Sequence, residues 1–593
     1  MKHKLLSLRD LHFLLFDVLR TEELFCRPHF NSHSRSTAEA ILQLAEDIAS
    51  KEFAPHNRKA DLNEPRIADN RVEIIPEVGA ALGHFRESGF FGMTASIENG
   101  GMQLPLSIAN AAVAFFQAAN PGTAGYAFLT IAAANMLSRF GSEAHHARYL
   151  RAMIEGRFYG TMCLSEPHAG SSLADLVTKA VPDGDSTFRV FGRKMWTSGG
   201  DHELSENIVH MVLARMPDAP SGTRGLSLFL TPKYIVTENG QYERNDVTLS
   251  GLNHKMGYRG TANAALTFGD GAFLPHGRPG AVAYLVGEPN KGLDIMFHMM
   301  NEARIGVGLN AASLGYTGYL HALAYSRERA QGRLPGNSDP ATPQVAIINH
   351  PDVRRMLLAQ KAYAEGALML CLLCSRLYDD SISLPSLEDQ EEARGVLELL
   401  TPVAKSWPAQ YCLEANSLAI QVHGGYGYTR DFPVEQMYRD NRLNAIHEGT
   451  NGIQALDLVT RKLKRNNARA LASLTTRIAA TCLAARSADD EFSSYAVALE
   501  TLFGKIDAVT GTAPEPETIA NATLVLEVFG HACIAWLWLW QALAARQSNH
   551  VLAQEKLQAC RYFFRWELPQ TRWRIDLLLS REKLLLEDFS PHS

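Results

Sequence analysis

Residues able to do chemistry are concentrated in one stretch of this chain, Gln421 to Gln454. It opens with Gln421-Val-His-Gly-Gly-Tyr-Gly-Tyr428, passes through the charged segment Arg439-Asp-Asn-Arg442, and closes on Ile446-His-Glu-Gly-Thr450. Glycines 424, 425 and 427 let the backbone come close to a flat ligand and adopt angles that a Cβ forbids. Glu448 is a lone carboxylate on the second glycine turn. Hemmed by apolar neighbours and pressed on a cofactor, such a group has a raised pKa, which suits a general base. A Glu-Gly-Thr tripeptide alone is common at solvated helix starts, so the signal lies in the whole constellation.

The surrounding pattern must supply the scaffold. Up to about residue 158 the chain reads as helical, with periodic runs at 5–20, 36–53, 75–89, 105–120, 123–140 and 143–155. The first of these looks amphipathic, and Ser36 is placed to cap the second. At Tyr159 the periodicity changes to short alternating runs broken by Gly, Asp and Pro, which argues a small β-barrel or sandwich of about 125 residues. From Gly292 the pattern is helical again. A long run covers 296–326, a short insertion follows at 336–343, helices cover 350–378, and a charged linker at 384–392 leads to a helix ending at Gln421. A basic break, Lys462-Leu-Lys-Arg-Asn-Asn, separates this block from a further helical region.

Composition excludes several classes. A net charge of −6 offers no general attraction to nucleic acid. Met1-Lys-His-Lys is followed by Arg9-Asp10 inside the first apolar run, which does not read as a signal peptide. The apolar run 532–540 falls short of the ~18 residues of a membrane span. Its three tryptophans, at i, i+2 and i+4, indicate a helix buried on more than one face. The eight cysteines are scattered, and Cys371-x-x-Cys374 lies in an apolar helical run, reading as core thiols in a reducing cytoplasm. No cysteine or histidine set has metal-ligand spacing. Gly287-Glu-Pro-Asn-Lys-Gly292 lacks the Lys-Ser/Thr of a P-loop, and no Gly-x-Gly-x-x-Gly opens a βαβ unit, so NAD is unsupported.

The 421–454 stretch resembles the C-terminal signature of the flavin-dependent acyl-CoA dehydrogenases, Gln-x-x-Gly-Gly-x-Gly-Tyr followed by Arg-Asp and Glu-Gly-Thr. Two motifs of the β region extend the resemblance. Met162-Cys-Leu-Ser-Glu-Pro-His-Ala-Gly-Ser-Ser172 is similar to the family's Cys-x-Thr-Glu-Pro-x-Ala-Gly-Ser-Asp, and Lys194-Met-Trp-Thr-Ser-Gly199 to Lys-x-Trp-Ile-Thr-Asn-Gly. Ser172 stands where the family has Asp, which puts the local loop in question.

The resemblance implies non-covalent FAD and no metal. Leu164 and Ser165 would meet the pyrimidine edge, Trp196 would pack on the flavin, and Ser198 would face N5. Gln421, Gly424, Gly425 and Thr450 would be further cofactor contacts, and Arg329 would reach a neighbouring subunit's FAD pyrophosphate. Ser171 would contact FAD or CoA phosphate, and Arg304 and Gly449 the substrate. Some members carry their base immediately before this arginine; here that position is Ala303, leaving Glu448 as the base.

The implied architecture is α+β: an extension (1–34), an N-terminal α-helical domain (35–158), a central β-domain (159–288), a C-terminal four-helix-bundle domain (289–465) and an added helical domain (466–593). The implied function is α,β-dehydrogenation of an acyl-CoA to a trans-2-enoyl-CoA, with electrons passed to an electron-transfer flavoprotein. The length matches the subgroup of roughly 600 residues acting on 3-methylthiopropionyl-CoA and fatty acyl-CoA. A cytoplasmic homodimer without nucleic-acid binding or an integral membrane segment is expected. Two alternatives remain on the same fold, an acyl-CoA oxidase and a DNA-associated stress protein. The acidic charge and the absence of a basic C-terminal run weigh against the second.

Overall fold

A computed structural model of the protein describes residues 4–588 apart from 185, 337–338, 464–467, 511–514 and 549. Residues 1–3 of the basic start, part of the 336–343 insertion, Asp185 in the 182–185 turn and the basic break at 464–467 thus lie outside the described residues. The chain forms two compact units. One comprises Met1–Leu44, Pro105–Ala118 and Arg304–Ser593, the other Ala45–Leu104 and Ala119–Ala303.

The second unit carries twelve strands among the described residues. β1 (Arg66–Ala68) and β2 (Arg71–Glu73) make a hairpin. Then follow β3 (Phe158–Cys163), β4 (Lys179–Pro182), β5 (Phe188–Ser198), β6 (Asn207–Arg215), β7 (Leu226–Pro232), β8 (Tyr234–Val236), β9 (Tyr242–Arg244), β10 (Val247–Leu252), β11 (Asn263–Phe268) and β12 (Ala281–Val286). The main sheet runs β10-β11-β5-β12-β7-β6-β3, and β4 pairs with both β5 and β6. β4 thereby closes β5-β12-β7-β6 into a small barrel, with β3 parallel to β6 outside it. β6 is buried nearly throughout, as a strand covered on both faces must be. Its Val212 and Ala214 pack with Val190, Phe229 and Ala281, whereas Val209, Met211 and Leu213 pack with Leu137 and Met153.

β4, β8, β9, β10 and the β1–β2 hairpin were not expected from periodicity. Most are only three or four residues long with largely exposed faces, too short for an alternation to show.

The first unit is helical. Its long elements are Gly292–Glu328, which the second unit's last residues begin, Pro351–Ser383 and Leu387–His423. The expected charged linker at 384–392 is mostly helix. Ser386 Oγ accepts from Asp389 N and caps it, and Glu388 and Asp389 occupy its first turn, where acidic side chains favour the helix dipole. The second helix of the chain begins at Arg35, and Ser34 rather than Ser36 accepts from Thr37 N at its start.

The N-terminal segment forms Leu8–His12 followed by a π-helical turn, Phe13–Val18, with Arg9, Asp17 and Arg20 exposed and Leu11 and Phe13 to Phe16 buried. One acid, Asp10, goes in with it. Lys556 Nζ bonds Asp10 Oδ1 at 2.5 Å, Glu365 Oε2 at 2.8 Å and Gln541 Oε1 at 3.1 Å. Lys361 Nζ bonds the other oxygen of Glu365, and Tyr316 donates to Asp10 Oδ2. Two carboxylates face two ammonium groups, so the charges of the buried cluster balance.

Helix Ala522–Gln547 buries Trp536 and Trp538, and Trp538 Nε1 donates to Ala362 O at 3.0 Å. It is longer than the apolar run suggested. It and Pro351–Ser383 are long and apolar enough to cross a membrane by length and composition, but 83% and 94% of their apolar windows are buried in the protein. Cys371 and Cys374 are buried on Pro351–Ser383.

Replacing Lys556 by Met leaves Asp10 and Glu365 with one cation between them. A loss of about 3–5 kcal/mol is expected, read as a lower denaturation midpoint, with Lys556→Arg losing less.

Candidate active site

Glu448 sits on a turn between the 3-10 segment Leu443–Ala445 and helix Asn451–Asp457. Its φ is 53° and that of Gly449 is 84°, so two consecutive residues are left-handed. A non-glycine residue there is strained and must be held by its surroundings. The buried side chain of Gln454 holds it: Nε2 donates to the carbonyls of Glu448 and Gly449 at 3.1 and 3.3 Å. A Cβ on Gly449 would lie 2.7 Å from that same nitrogen. Thr450 Oγ1 accepts from Ile453 N and caps the following helix.

A ladder of buried asparagines supports the turn from below. Asn441 Nδ2 donates to Asn416 Oδ1 at 2.6 Å, Asn444 Nδ2 to Asn441 Oδ1 at 3.0 Å, and Asn310 Nδ2 to Asn444 Oδ1 at 3.1 Å. His447 Nε2 lies 3.1 Å from Asn444 Oδ1, an oxygen that can only accept, so Nε2 carries the proton. Burial and the Lys405 ammonium push the His447 pKa down to about 3, which keeps the ring neutral.

Two cations flank the carboxylate. Arg304 is buried, and its Nη1 bonds Asp457 Oδ2 at 2.8 Å. Lys405, fully buried within Leu387–His423, donates to Asn451 Oδ1 at 3.3 Å. Burial raises the Glu448 carboxyl above its ordinary value, while Lys405 and then Arg304 pull against the shift. Burial in turn pushes Lys405 down to about 7, opposed by Glu448 and assisted by Arg304. Arg304 Nε and Gln454 Oε1 are buried and lack a hydrogen-bond partner among the described residues, as a site completed by a bound molecule would leave them. Glu302 accepts from Asn135 Nδ2 at 3.1 Å instead.

The first glycine turn lies where Leu387–His423 ends. Gly424 has φ 61° and ψ −140°, and a Cβ on Gly427 would meet Ile420 O at 2.4 Å. Beneath it Tyr325 stacks on His423 at 4.4 Å, and Phe432 packs on His423 and Tyr426. Gln421, Gly424, Gly425 and Arg329 are exposed there, with Arg329 over the Tyr426 ring.

In the second unit a β-bulge decides the geometry. Ala264 pairs with Thr197 and Leu266 with Lys194, so Met195 and Trp196 together oppose Ala265. Such a bulge re-aims a side chain. Trp196 takes φ 62° and is 60% exposed, unusual for so large an apolar residue. Ser198 Oγ, two residues on, accepts from Asn263 Nδ2 at 3.1 Å.

The loop after β3 is fastened to this strand. Met195 N donates to Ser165 O at 2.9 Å, and the buried Lys194 Nζ reaches Leu164 O and Glu166 Oε1, each at 3.0 Å. Glu166 also accepts from Val177 N, Thr178 N and Thr178 Oγ1. Ser172 bonds Asp175, so the departure from the expected Asp leaves a closed local turn. Ser171 is exposed on that loop.

The structure thus brings Glu448, Gly449, Thr450 and Arg304 together, gathers Gln421, Gly424, Gly425 and Arg329 at the other turn, and sets Leu164, Ser165, Trp196 and Ser198 side by side. Each group suits one part of a flavin nucleotide: in the second unit an exposed indole with adjacent hydroxyls suits a flat polar ring, and in the first unit an exposed guanidinium beside the Gly424-Gly425 turn suits phosphate. Lys405, Gln454, Asn441, Asn444 and the Glu166–Lys194 pair were missed as site-building residues. A lysine amid Val-Ala-Lys-Ser-Trp in an apolar helix was the one signal available for Lys405.

Comparison with known proteins gives matching family models along the chain. Acyl-CoA dehydrogenase N-terminal, middle and C-terminal domains match residues 35–157, 161–270 and 290–463. A domain described as acetyl-CoA dehydrogenase C-terminal like matches residues 474–587. The chain is 37% identical over 475 residues to 3-methylmercaptopropionyl-CoA dehydrogenase of Ruegeria pomeroyi, covering 80% of this chain and 78% of that one. It is 34% identical over 493 residues to the broad-specificity linear acyl-CoA dehydrogenase FadE5 of Mycobacterium tuberculosis, covering 81% and 78%. Among solved structures, Caenorhabditis elegans ACDH-11 in complex with C11-CoA shares the fold with a TM-score of 0.78 at 19% identity, over 97% of this chain and 94% of that one. Acyl-CoA dehydrogenase from Bacillus anthracis complexed with FAD does so with a TM-score of 0.74 at 18% identity, over 95% and 94%. The chain belongs to the acyl-CoA dehydrogenase family.

Proposed function

We propose that the protein oxidises an acyl-CoA thioester at its α,β bond and that Glu448 is the base that removes the α-proton. The observation that carries this is the Glu448 turn: a carboxylate on a strained left-handed turn, raised in pKa by burial yet flanked by Lys405 and Arg304. Burial makes the carboxylate a stronger base than one in water, and the two cations keep it ionised. Locking the backbone through Gln454 removes the freedom to swing away, so the base is placed before the substrate arrives. Arg304 and Gly449 would line the thioester end, and Ser171 would contact a phosphate. The names of the relatives support a linear acyl or thioether chain.

FAD is the family's cofactor and, when bound, supplies the acceptor for the β-hydride. Leu164, Ser165, Trp196 and Ser198 would hold its ring, with Gln421, Gly424, Gly425 and Thr450 as further contacts. Arg329 is exposed and makes no ion pair among the described residues, which supports its pairing with the pyrophosphate of a second subunit. We infer a homodimer on that ground, in a reducing cytoplasm that suits the eight free cysteines. An electron-transfer flavoprotein is inferred as the electron acceptor. Domain boundaries at 34, 158, 288 and 465 are inferred with it.

Mixing the FAD-loaded protein anaerobically with a panel of acyl-CoA thioesters should bleach the flavin with one class. Glu448→Gln should slow that bleaching by about 10²–10⁴-fold. Because the base must be ionised, the bleaching rate should rise with pH through an apparent pKa above the ordinary 4.5 of a glutamate. No bleaching with any thioester would refute the dehydrogenase reading. A second measurement concerns the ring site: Lys194→Met leaves Glu166 buried without its cation and frees the loop bearing Leu164 and Ser165. Purified variant should carry less FAD per chain than wild type after gel filtration, while retaining its helical circular dichroism.

A further inference from the structure

Lys405 is unusual for a buried lysine. Among the described residues no carboxylate lies within ion-pair distance of it, and its ammonium donates to the neutral amide of Asn451. The anion whose field reaches it is Glu448. Arg304, the other nearby cation, is already neutralised by Asp457, which also lies 3.5 Å from Arg461. The placement is rigid. A Cβ on Gly308 would lie 1.8 Å from Ala404 O, so helices Gly292–Glu328 and Leu387–His423 touch backbone to backbone beside Lys405 and one turn from Arg304. Asn451 fixes the ammonium from the helix that the Glu448 turn begins.

From these contacts we propose that Lys405 is a positioning residue for the reaction: its buried charge, more than that of the already paired Arg304, sets the ionisation of Glu448. The proposal rests on the reading of Glu448 as base. The groups acting on Lys405 are Glu448 and His447 from the turn, Arg304 with Asp457 behind it, and Asn451; from helix Pro351–Ser383 the Cys371 thiol bonds the carbonyl of the adjacent Ala404. Burial holds that thiol far above its ordinary value and His447 stays neutral, so neither supplies charge across the working range. Removing a proton from either member of the pair leaves the other holding its own more tightly, because an isolated buried charge is costly. With the ammonium present, Glu448 is an available carboxylate. As pH rises through the lysine's own titration near 7, that support is withdrawn, so the ionisation of Glu448 is completed only at higher pH and the rise in rate is spread over two inflections.

The test is the pH profile of anaerobic flavin bleaching by the best acyl-CoA, compared among wild type, Lys405→Met, Lys405→Arg and Glu448→Gln, all FAD-loaded. For Lys405→Met the acid limb should move up by about one pH unit or more, making the rate on that limb about tenfold lower. Lys405→Arg, charged at every pH, should keep the acid limb at or below its wild-type position and lose the second inflection of the wild-type curve. The proposal is overturned if Lys405→Arg retains the wild-type profile, or if Lys405→Met lowers the rate uniformly without moving the limb. The arginine comparison stands even if the methionine variant does not fold. Bleaching of Glu448→Gln at the wild-type rate would instead sink the reading of Glu448 as base, whatever the lysine variants do.

Discussion

A half-buried carboxylate on a left-handed turn, held by the Gln454 amide, is the constraint on which the rest of this protein depends. Left alone in such a place, Glu448 would take up a proton and be useless as a base. It is kept ionisable by cations that are themselves withdrawn from water, Lys405 and Arg304. Those cations need company too, and they have it in Asn451 and Asp457. The site is thus a small closed set of charges in which each member tolerates burial because of the next.

Holding such a set demands close and stiff packing. Gly308 against Ala404 lets two long helices meet at backbone distance, and the Asn310–Asn444–Asn441–Asn416 ladder fixes the segment that precedes the turn. A polar network of this kind is stabilising only when all its donors are satisfied, and here each rung donates to the next. The second unit uses the same logic on a sheet. A bulge forces Trp196 into a left-handed conformation, and a buried Glu166–Lys194 pair clamps the neighbouring loop to the bulged strand. In both units a left-handed residue, Glu448 or Trp196, coincides with a buried polar clamp beside it.

The sequence made the arrangement of helices, β-barrel and helices legible because long periodic runs and glycine-broken turns are local signals. The turn that carries Glu448 and the strand that carries Trp196 and Ser198 were legible for the same reason, each lying in a compact motif. The clamp residues were not. Asn310, Lys405 and Gln454 come from segments far apart in the chain, and nothing in the local pattern distinguishes a buried lysine from one on a solvated face. In the N-terminal 5–20 run the polar pattern holds at Arg9, Asp17 and Arg20 and fails at Asp10, which is buried against Lys556. The acidic segment at 387–392 misled, being the first turns of a capped helix rather than a linker.

The most direct test of the account is a crystal structure of the FAD-loaded protein with a non-oxidisable acyl-CoA analogue. The account predicts the Glu448 carboxylate against the α-carbon of the thioester, with its left-handed turn and the Gln454 amide bonds unchanged and Lys405 still on Asn451. A thioester bound with its α-carbon out of reach of Glu448, or a turn that must unwind to reach it, would contradict the claim that this residue is the pre-placed base.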